Sequence, residues 1–197
     1  GVPLPKGRVA RSADEAERLT RDGSVPLPCV VKAQVLAGGR GKGGAVTFAS
    51  TPEEARAAAA SILGREFKGE RVKEVLLEEK LALARELYLA LTLDRALRTP
   101  ILIVSAQGGV EIESVADDRI DRQPIDPFPG LTGYQKRRAA KVLGLSGAAA
   151  RSLDRLLDAL WTAFNGEDAE LVEINPLALV GDGLVALDAK VIVEDDA

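Results

Sequence analysis

Cys29-Val30-Val31-Lys32-Ala33-Gln34-Val35, then Gly38-Gly39-Arg40-Gly41-Lys42-Gly43-Gly44, then Ala45-Val46-Thr47-Phe48, is the stretch on which the fold turns. The β-branched residues Val30, Val31 and Val35 bias the first part toward a strand, and residues 45–48 read as a returning strand. The five glycines between them let backbone N–H groups turn toward an anion, and Arg40 and Lys42 add charge. Gly39, Gly41 and Gly44 have the spacing of a dinucleotide fingerprint, but that fingerprint needs a helix next and a strand follows instead. The P-loop pattern fails too, because no Ser or Thr follows Lys42. A strand, a glycine loop and a second strand make a flexible cover for nucleotide phosphates, or else a surface hairpin with solvated charges. Lys32 interrupts an otherwise apolar strand. It reads either as a fixed point charge for phosphate or as an edge-strand lysine turned to water.

Working outward, residues 1–7 are an extended entry rich in proline and glycine. Ser12 before Asp14 and Glu15 opens an amphipathic helix to about residue 21, and Thr51-Pro52-Glu53-Glu54 opens a second that Gly64 stops. Three strands are expected at 72–79, 86–94 and 100–106. In the second, Leu87, Leu89, Leu91 and Leu93 alternate with Glu86, Tyr88, Ala90 and Thr92 on the opposite face. A proline-rich loop spans 124–133. Helices follow at about 132–143 and 147–165, the latter striped with Leu153, Leu156, Leu157, Leu160, Trp161 and Phe164. A hairpin closes the chain, with strands 171–180 and 184–193 about a Gly181-Asp182-Gly183 turn. Antiparallel strands with flanking helices give an α+β class, in two lobes.

Composition removes several kinds of chemistry. The 197 residues are 46% hydrophobic and 28% charged, which excludes a wholly disordered chain. A net charge of −4 argues against a general nucleic-acid binder. No apolar run nears the roughly 20 residues of a membrane-spanning helix, so no membrane role is expected. One cysteine, Cys29, excludes an internal disulfide and fits a reducing compartment. The absence of histidine removes every Ser-His or Cys-His nucleophile from this chain. No methionine is present either, so the sequence reads as part of something longer.

The closing hairpin holds the second candidate site. Glu173 and Asn175 share a face by strand periodicity, and Asp188 interrupts the apolar return strand. A two-residue turn at Gly181-Asp182 sets Asn175 opposite Asp188, whereas a slip of one residue separates them. A carboxylate, an amide oxygen and a nearby glutamate form a hard-oxygen site suited to Mg²⁺ with nucleotide phosphates. The competing reading is the solvated side of an ordinary hairpin. Glu78 and Glu86, at strand ends, could accept hydrogen bonds from adenine or ribose groups, or lie solvated on the surface.

Together these residues resemble the nucleotide-binding half of the succinyl-CoA synthetase (succinate–CoA ligase) β subunit, an ATP-grasp enzyme. The matching runs occur in the family's order across nearly the whole chain: Val30-Val31-Lys32-Ala33-Gln34-Val35, Ala37-Gly38-Gly39-Arg40-Gly41-Lys42, Glu86-Leu87-Tyr88, Gly108-Gly109-Val110-Glu111-Ile112-Glu113, Glu173-Ile174-Asn175-Pro176-Leu177 and Asp188-Ala189-Lys190. The resemblance implies an ATP-grasp fold of two α+β lobes clamping ATP or GTP. Residues 6–81 would form the small lobe, and residues 1–5 with 82–197 the large lobe. The family's C-terminal CoA-ligase domain lies outside these residues.

The resemblance also assigns roles. Lys32 and the Gly39-Arg40-Gly41 backbone would bind phosphate, and Glu78 and Glu86 would contact the nucleotide. Leu81 stands where many bacterial members carry threonine, which leaves that nucleotide contact to the backbone or alters it. Asn175 and Asp188 match the Mg²⁺ ligands, and Glu173 matches the acid that meets a phosphorylated histidine. That histidine belongs to a partner α subunit, in a heterodimer or heterotetramer that interconverts succinate and succinyl-CoA within the tricarboxylic acid cycle. The implied location is the bacterial cytoplasm, or the mitochondrial matrix in a eukaryote. Two alternatives remain: a sister ligase acting on malate, and a non-catalytic nucleotide-sensing module.

Overall fold

The structure is a computed structural model and describes residues 2–36 and 44–194. The chain divides into two units, Pro5–Leu81 and Gly1–Leu4 with Ala82–Ala197.

The first unit is a four-stranded antiparallel sheet in the order β1 (Gly7–Ala10), β6 (Val75–Glu79), β2 (Cys29–Ala33) and β3 (Val46–Ala49). Two helices, α1 (Ala13–Arg21) and α2 (Pro52–Ile62), begin where the sequence places their caps. Ser12 Oγ accepts from Glu15 N–H at 3.1 Å, and Glu15 Oε2 returns the favour to Arg11 N–H at 2.8 Å. Thr51 and Glu54 repeat the arrangement around Pro52, so orphan donors at both helix starts are satisfied. The alanine run of α2 buries Ala55, Ala58 and Ala59 with Ile62. Methyl-sized side chains let this helix lie close on β2 and β3, over a core of Val31, Val75 and Leu77. A two-stranded ribbon, β4 (Glu66–Phe67) with β5 (Glu70–Arg71), fills the link to β6.

The second unit is a six-stranded antiparallel sheet. Its strands are β7 (Arg85–Asp94), β8 (Thr99–Ser105), β9 (Ile120–Pro124), β10 (Ala169–Val180), β11 (Gly183–Ala186) and β12 (Ala189–Val193). The order is β11-β10-β7-β8-β9, with β12 extending the β11 edge along β10. Helices α3 (Gly133–Val142) and α4 (Gly147–Gly166) cover one face, and Thr132 with Gln135 makes a capping box at the start of α3. The stripe of α4 buries Leu153, Leu156, Leu157, Leu160 and Phe164 against Leu87, Leu89, Leu91 and Ile174 of the sheet. Each such side chain contributes about 1.5–3 kcal/mol by leaving water. Two short stretches, β1 and β9, escape the periodicity reading, because four or five residues with mixed polarity carry too little pattern.

The β10 strand carries the feature that aims the site. Ile174 pairs with Leu89 and Leu177 with Leu87, so Asn175 and Pro176 together oppose the single residue Tyr88. Pro176 has no N–H for the ladder, and the extra residue makes a β-bulge there. On the other side of β10, Val180 pairs with Gly183 about the two-residue Gly181-Asp182 turn. The same register continues through Ile174–Ala189 and Glu173–Lys190.

Candidate functional site

Lys32 lies on β2, an inner strand between β6 and β3, which removes the edge-strand reading. Its side chain is 15% exposed and its ammonium forms an ion pair with Glu78, whose side chain is 11% exposed. The Oε2 atom of Glu78 takes no directional hydrogen bond, so its contact with Lys32 is coulombic. Glu78 is thus a buried carboxylate rather than a solvated one. Glu79 next to it points the other way and accepts from Lys6 N–H at 2.8 Å. Leu81 is half-buried in the link after β6. Gly39, Arg40 and Gly41 lie outside the described residues.

In the second unit, the bulge gathers the other candidates. Asn175 N–H donates to the Asp188 carbonyl at 3.1 Å, which sets the two residues opposite each other as the hairpin register requires. The Asn175 amide also grips a glycine strap: Gly109 N–H donates to its Oδ1 at 2.8 Å, and its Nδ2 donates to the Val110 carbonyl at 2.9 Å. The same strap is tied to β7, where Gly108 N–H donates to the Glu86 carbonyl at 3.0 Å. Glu86 is exposed, and its carboxylate lies directly beneath Gly109. Glu173, half-buried, accepts the Tyr88 phenol O–H on Oε2 at 2.8 Å.

The strap explains its glycines. A Cβ on Gly108 would stand 2.2 Å from the Leu87 carbonyl oxygen, and one on Gly109 would stand 2.2 Å from Glu86 Oε2. Gly109 also has φ +73°, in the left-handed region. Gly108→Ala must push backbone and is expected to cost about 2–3 kcal/mol, near the upper range for overpacking. Gly109→Ala displaces only a side-chain end, leaving mainly the left-handed penalty of about 1–2 kcal/mol. Denaturant unfolding of the two variants checks this. Equal costs, or none, would contradict the placement of the strap.

The donor set permits a magnesium ion. Asp188 supplies a carboxylate, and the Asn175 amide oxygen keeps one lone pair beyond its bond to Gly109. Among the described residues no group of three or more His, Cys, Asp or Glu side chains could cage a metal. Mg²⁺ needs no such group: it takes one or two carboxylates and completes its shell with substrate phosphates and water. The open hollow of about 650 Å³ beside α3, lined by Asp121, Tyr134, Arg137, Arg138, Lys141 and Val142, holds none of the candidate residues.

Tyr88 and Gly109 were not among the residues expected to act. The strict leucine alternation of β7 carries the signal for Tyr88, since it puts that residue on the face of Glu86. For Gly109 the signal is the Gly108-Gly109 pair itself, though only the fold shows what the pair approaches.

Comparison with known proteins agrees with this architecture. The sequence profile of the ATP-grasp domain matches residues 1–179. The chain is 44% identical over its whole length to the succinate–CoA ligase [ADP-forming] β subunit of Desulfurococcus amylolyticus, covering 53% of that protein. It is also 44% identical to the [GDP-forming] β subunit of Thermus thermophilus, over 100% of this chain and 52% of that protein. The chain therefore spans about half the length of these curated relatives. A solved structure of the dinucleotide-forming acetyl-coenzyme A synthetase 1 of Ca. Korarchaeum cryptofilum shares the fold, with a TM-score of 0.78 and 22% identity. That match covers 98% of this chain and 87% of the other. In another structure of the same protein, with coenzyme A and Mg-AMPPCP, a phosphohistidine segment points towards the nucleotide-binding site (TM-score 0.69, 21% identity, covering 98% and 86%). By the match of its sequence and the agreement of its fold, the chain belongs to the ATP-grasp family.

Proposed function

We propose that this chain is the nucleotide-binding portion of a succinate–CoA ligase β subunit. In this reading it moves a phosphoryl group between a magnesium-bound nucleoside triphosphate and a histidine on a partner α subunit. Lys32, with the Gly39-Arg40-Gly41 backbone, holds phosphate oxygens, and Glu78, Leu81 and Glu86 contact the nucleoside. Asn175 and Asp188 would hold the Mg²⁺, which when bound offsets the charge of the phosphates.

Phosphoryl transfer needs alignment and charge compensation more than a nucleophile from this chain. The nucleophile is a ring nitrogen of the partner histidine, which this histidine-free chain cannot supply. As the N–P bond forms, the bond from the γ-phosphorus to the bridging oxygen breaks, and its electron pair leaves with the nucleoside diphosphate. The other ring N–H donates to Glu173, whose negative charge offsets the positive charge gathering on the ring. The reverse sequence returns the group to the nucleotide. The ADP- and GDP-forming names of the two relatives support a nucleotide of either kind. The phosphohistidine segment of the Korarchaeum protein supports the shuttle.

The observation that carries this reading is the register that sets Asn175 opposite Asp188, with Glu173 two residues away on the same strand. The test mixes the complete β chain and its α subunit with γ-labelled ATP or GTP and follows acid-labile label on the α chain. Label is expected on the histidine, and Glu173→Gln is expected to slow its appearance on the order of 100-fold or more. Nucleotide binding without any label on the α chain would instead make the chain a sensing module.

A further inference from the structure

Among the described residues, Glu173 is held from one side only: its Oε2 takes the Tyr88 O–H, and its Oε1 takes no hydrogen bond. Tyr88 stands on β7 opposite the β10 bulge, between the pairs Leu89–Ile174 and Leu87–Leu177. It is therefore the residue around which β10 changes register just after Glu173. It is 3% exposed, so the phenol cannot swing out to water. Its partner across β8 is Ser105, fully buried.

We propose that Tyr88 is a positioning residue for phosphoryl transfer, holding the Glu173 carboxylate by Oε2 so that Oε1 faces the incoming histidine ring. This rests on the reading above, in which Glu173 meets that ring. A carboxylate on a free χ3 samples a broad range of orientations. One fixed by a charge-assisted hydrogen bond presents the same oxygen each time, and orientation is the larger part of such catalysis. The phenol suits the task because it stays a donor. Burial pushes its pKa well up, and the hydrogen bond and negative charge of Glu173, with the charge of Glu113, push the same way.

The test uses the assembled ligase, with the complete β chain and its α subunit, and compares Tyr88→Phe, Glu173→Gln and the double variant. Tyr88→Phe is expected to lower the phosphoryl-transfer rate about 10- to 100-fold while the KM for nucleotide and the melting temperature stay close to wild type. Because the phenol acts through Glu173, the double variant should be no slower than Glu173→Gln alone. A loss confined to kcat, together with this non-additivity, supports positioning. A Tyr88→Phe enzyme with wild-type kcat overturns the proposal, as does one whose loss follows a lowered melting temperature or simply multiplies with that of Glu173→Gln. Should Glu173→Gln itself transfer phosphate at the wild-type rate, the assignment of Glu173 fails, a result distinct from a failure at Tyr88 alone.

Discussion

Asp188→Ala is expected to raise the Kd for nucleotide at least about 100-fold when Mg²⁺ is present, and to change it little when Mg²⁺ is withheld. Losing an outer partner of a metal ligand commonly costs 10- to 100-fold in metal affinity, so losing the one carboxylate of the pair belongs at or beyond the top of that range. Asn175 alone would leave the metal one neutral amide oxygen, whose other lone pair already accepts from Gly109 N–H. The fold should survive. Asp188 is half-buried, and its backbone carbonyl, which accepts from Asn175 N–H, is untouched by the substitution. Calorimetric titration of Mg-nucleotide and of nucleotide with EDTA measures both arms. Equal affinity of variant and wild type for the magnesium complex would remove the metal from this hairpin.

The second large effect is at Lys32, where stability and binding can be separated. Lys32→Met leaves the Glu78 carboxylate buried beside an apolar side chain. Breaking a buried ion pair from one side costs about 3–5 kcal/mol, and in a chain of this size each kcal/mol lowers Tm by about 2–4 °C. A fall on the order of 10 °C follows. Lys32→Met with Glu78→Leu replaces both charges by apolar groups, a change that is often neutral or stabilising, so most of the lost Tm should return. Nucleotide affinity should not return, because the proposed function assigns both Lys32 and Glu78 to the nucleotide. A double variant that regains both Tm and affinity would make Lys32 a structural cation and nothing more.

What the sequence made legible follows from periodicity and turn chemistry. Helix starts at Ser12 and Thr51 were readable because capping residues act locally, within three positions. Of the two hairpin registers the sequence left open, the structure has the one with a Gly181-Asp182 turn, since Val180 pairs with Gly183. The environment of Lys32 was not readable, since one sequence serves an edge or an inner strand and only sheet order decides between them. Glu78 and Glu86 looked alike as strand-end glutamates. The fold buries the first against Lys32 and leaves the second exposed beneath Gly109. Tyr88 escaped because its value lies in a contact with Glu173, 85 residues away. The resemblance named candidate residues. The bulge, the strap and the phenol that arrange them are long-range consequences of packing.

The proposed function assigns Lys32 to the nucleotide phosphates and Asn175 with Asp188 to the Mg²⁺ they carry. The most direct measurement is a solved structure of the complete enzyme with Mn²⁺ and a non-hydrolysable nucleotide, using the anomalous signal of manganese. The account predicts a single metal peak bound by Asp188 and Asn175 and by phosphate oxygens, with Lys32 Nζ at hydrogen-bond distance, roughly 2.7–3.2 Å, from the same phosphates. A metal bound elsewhere than this hairpin, or Lys32 Nζ away from the phosphates, would contradict it.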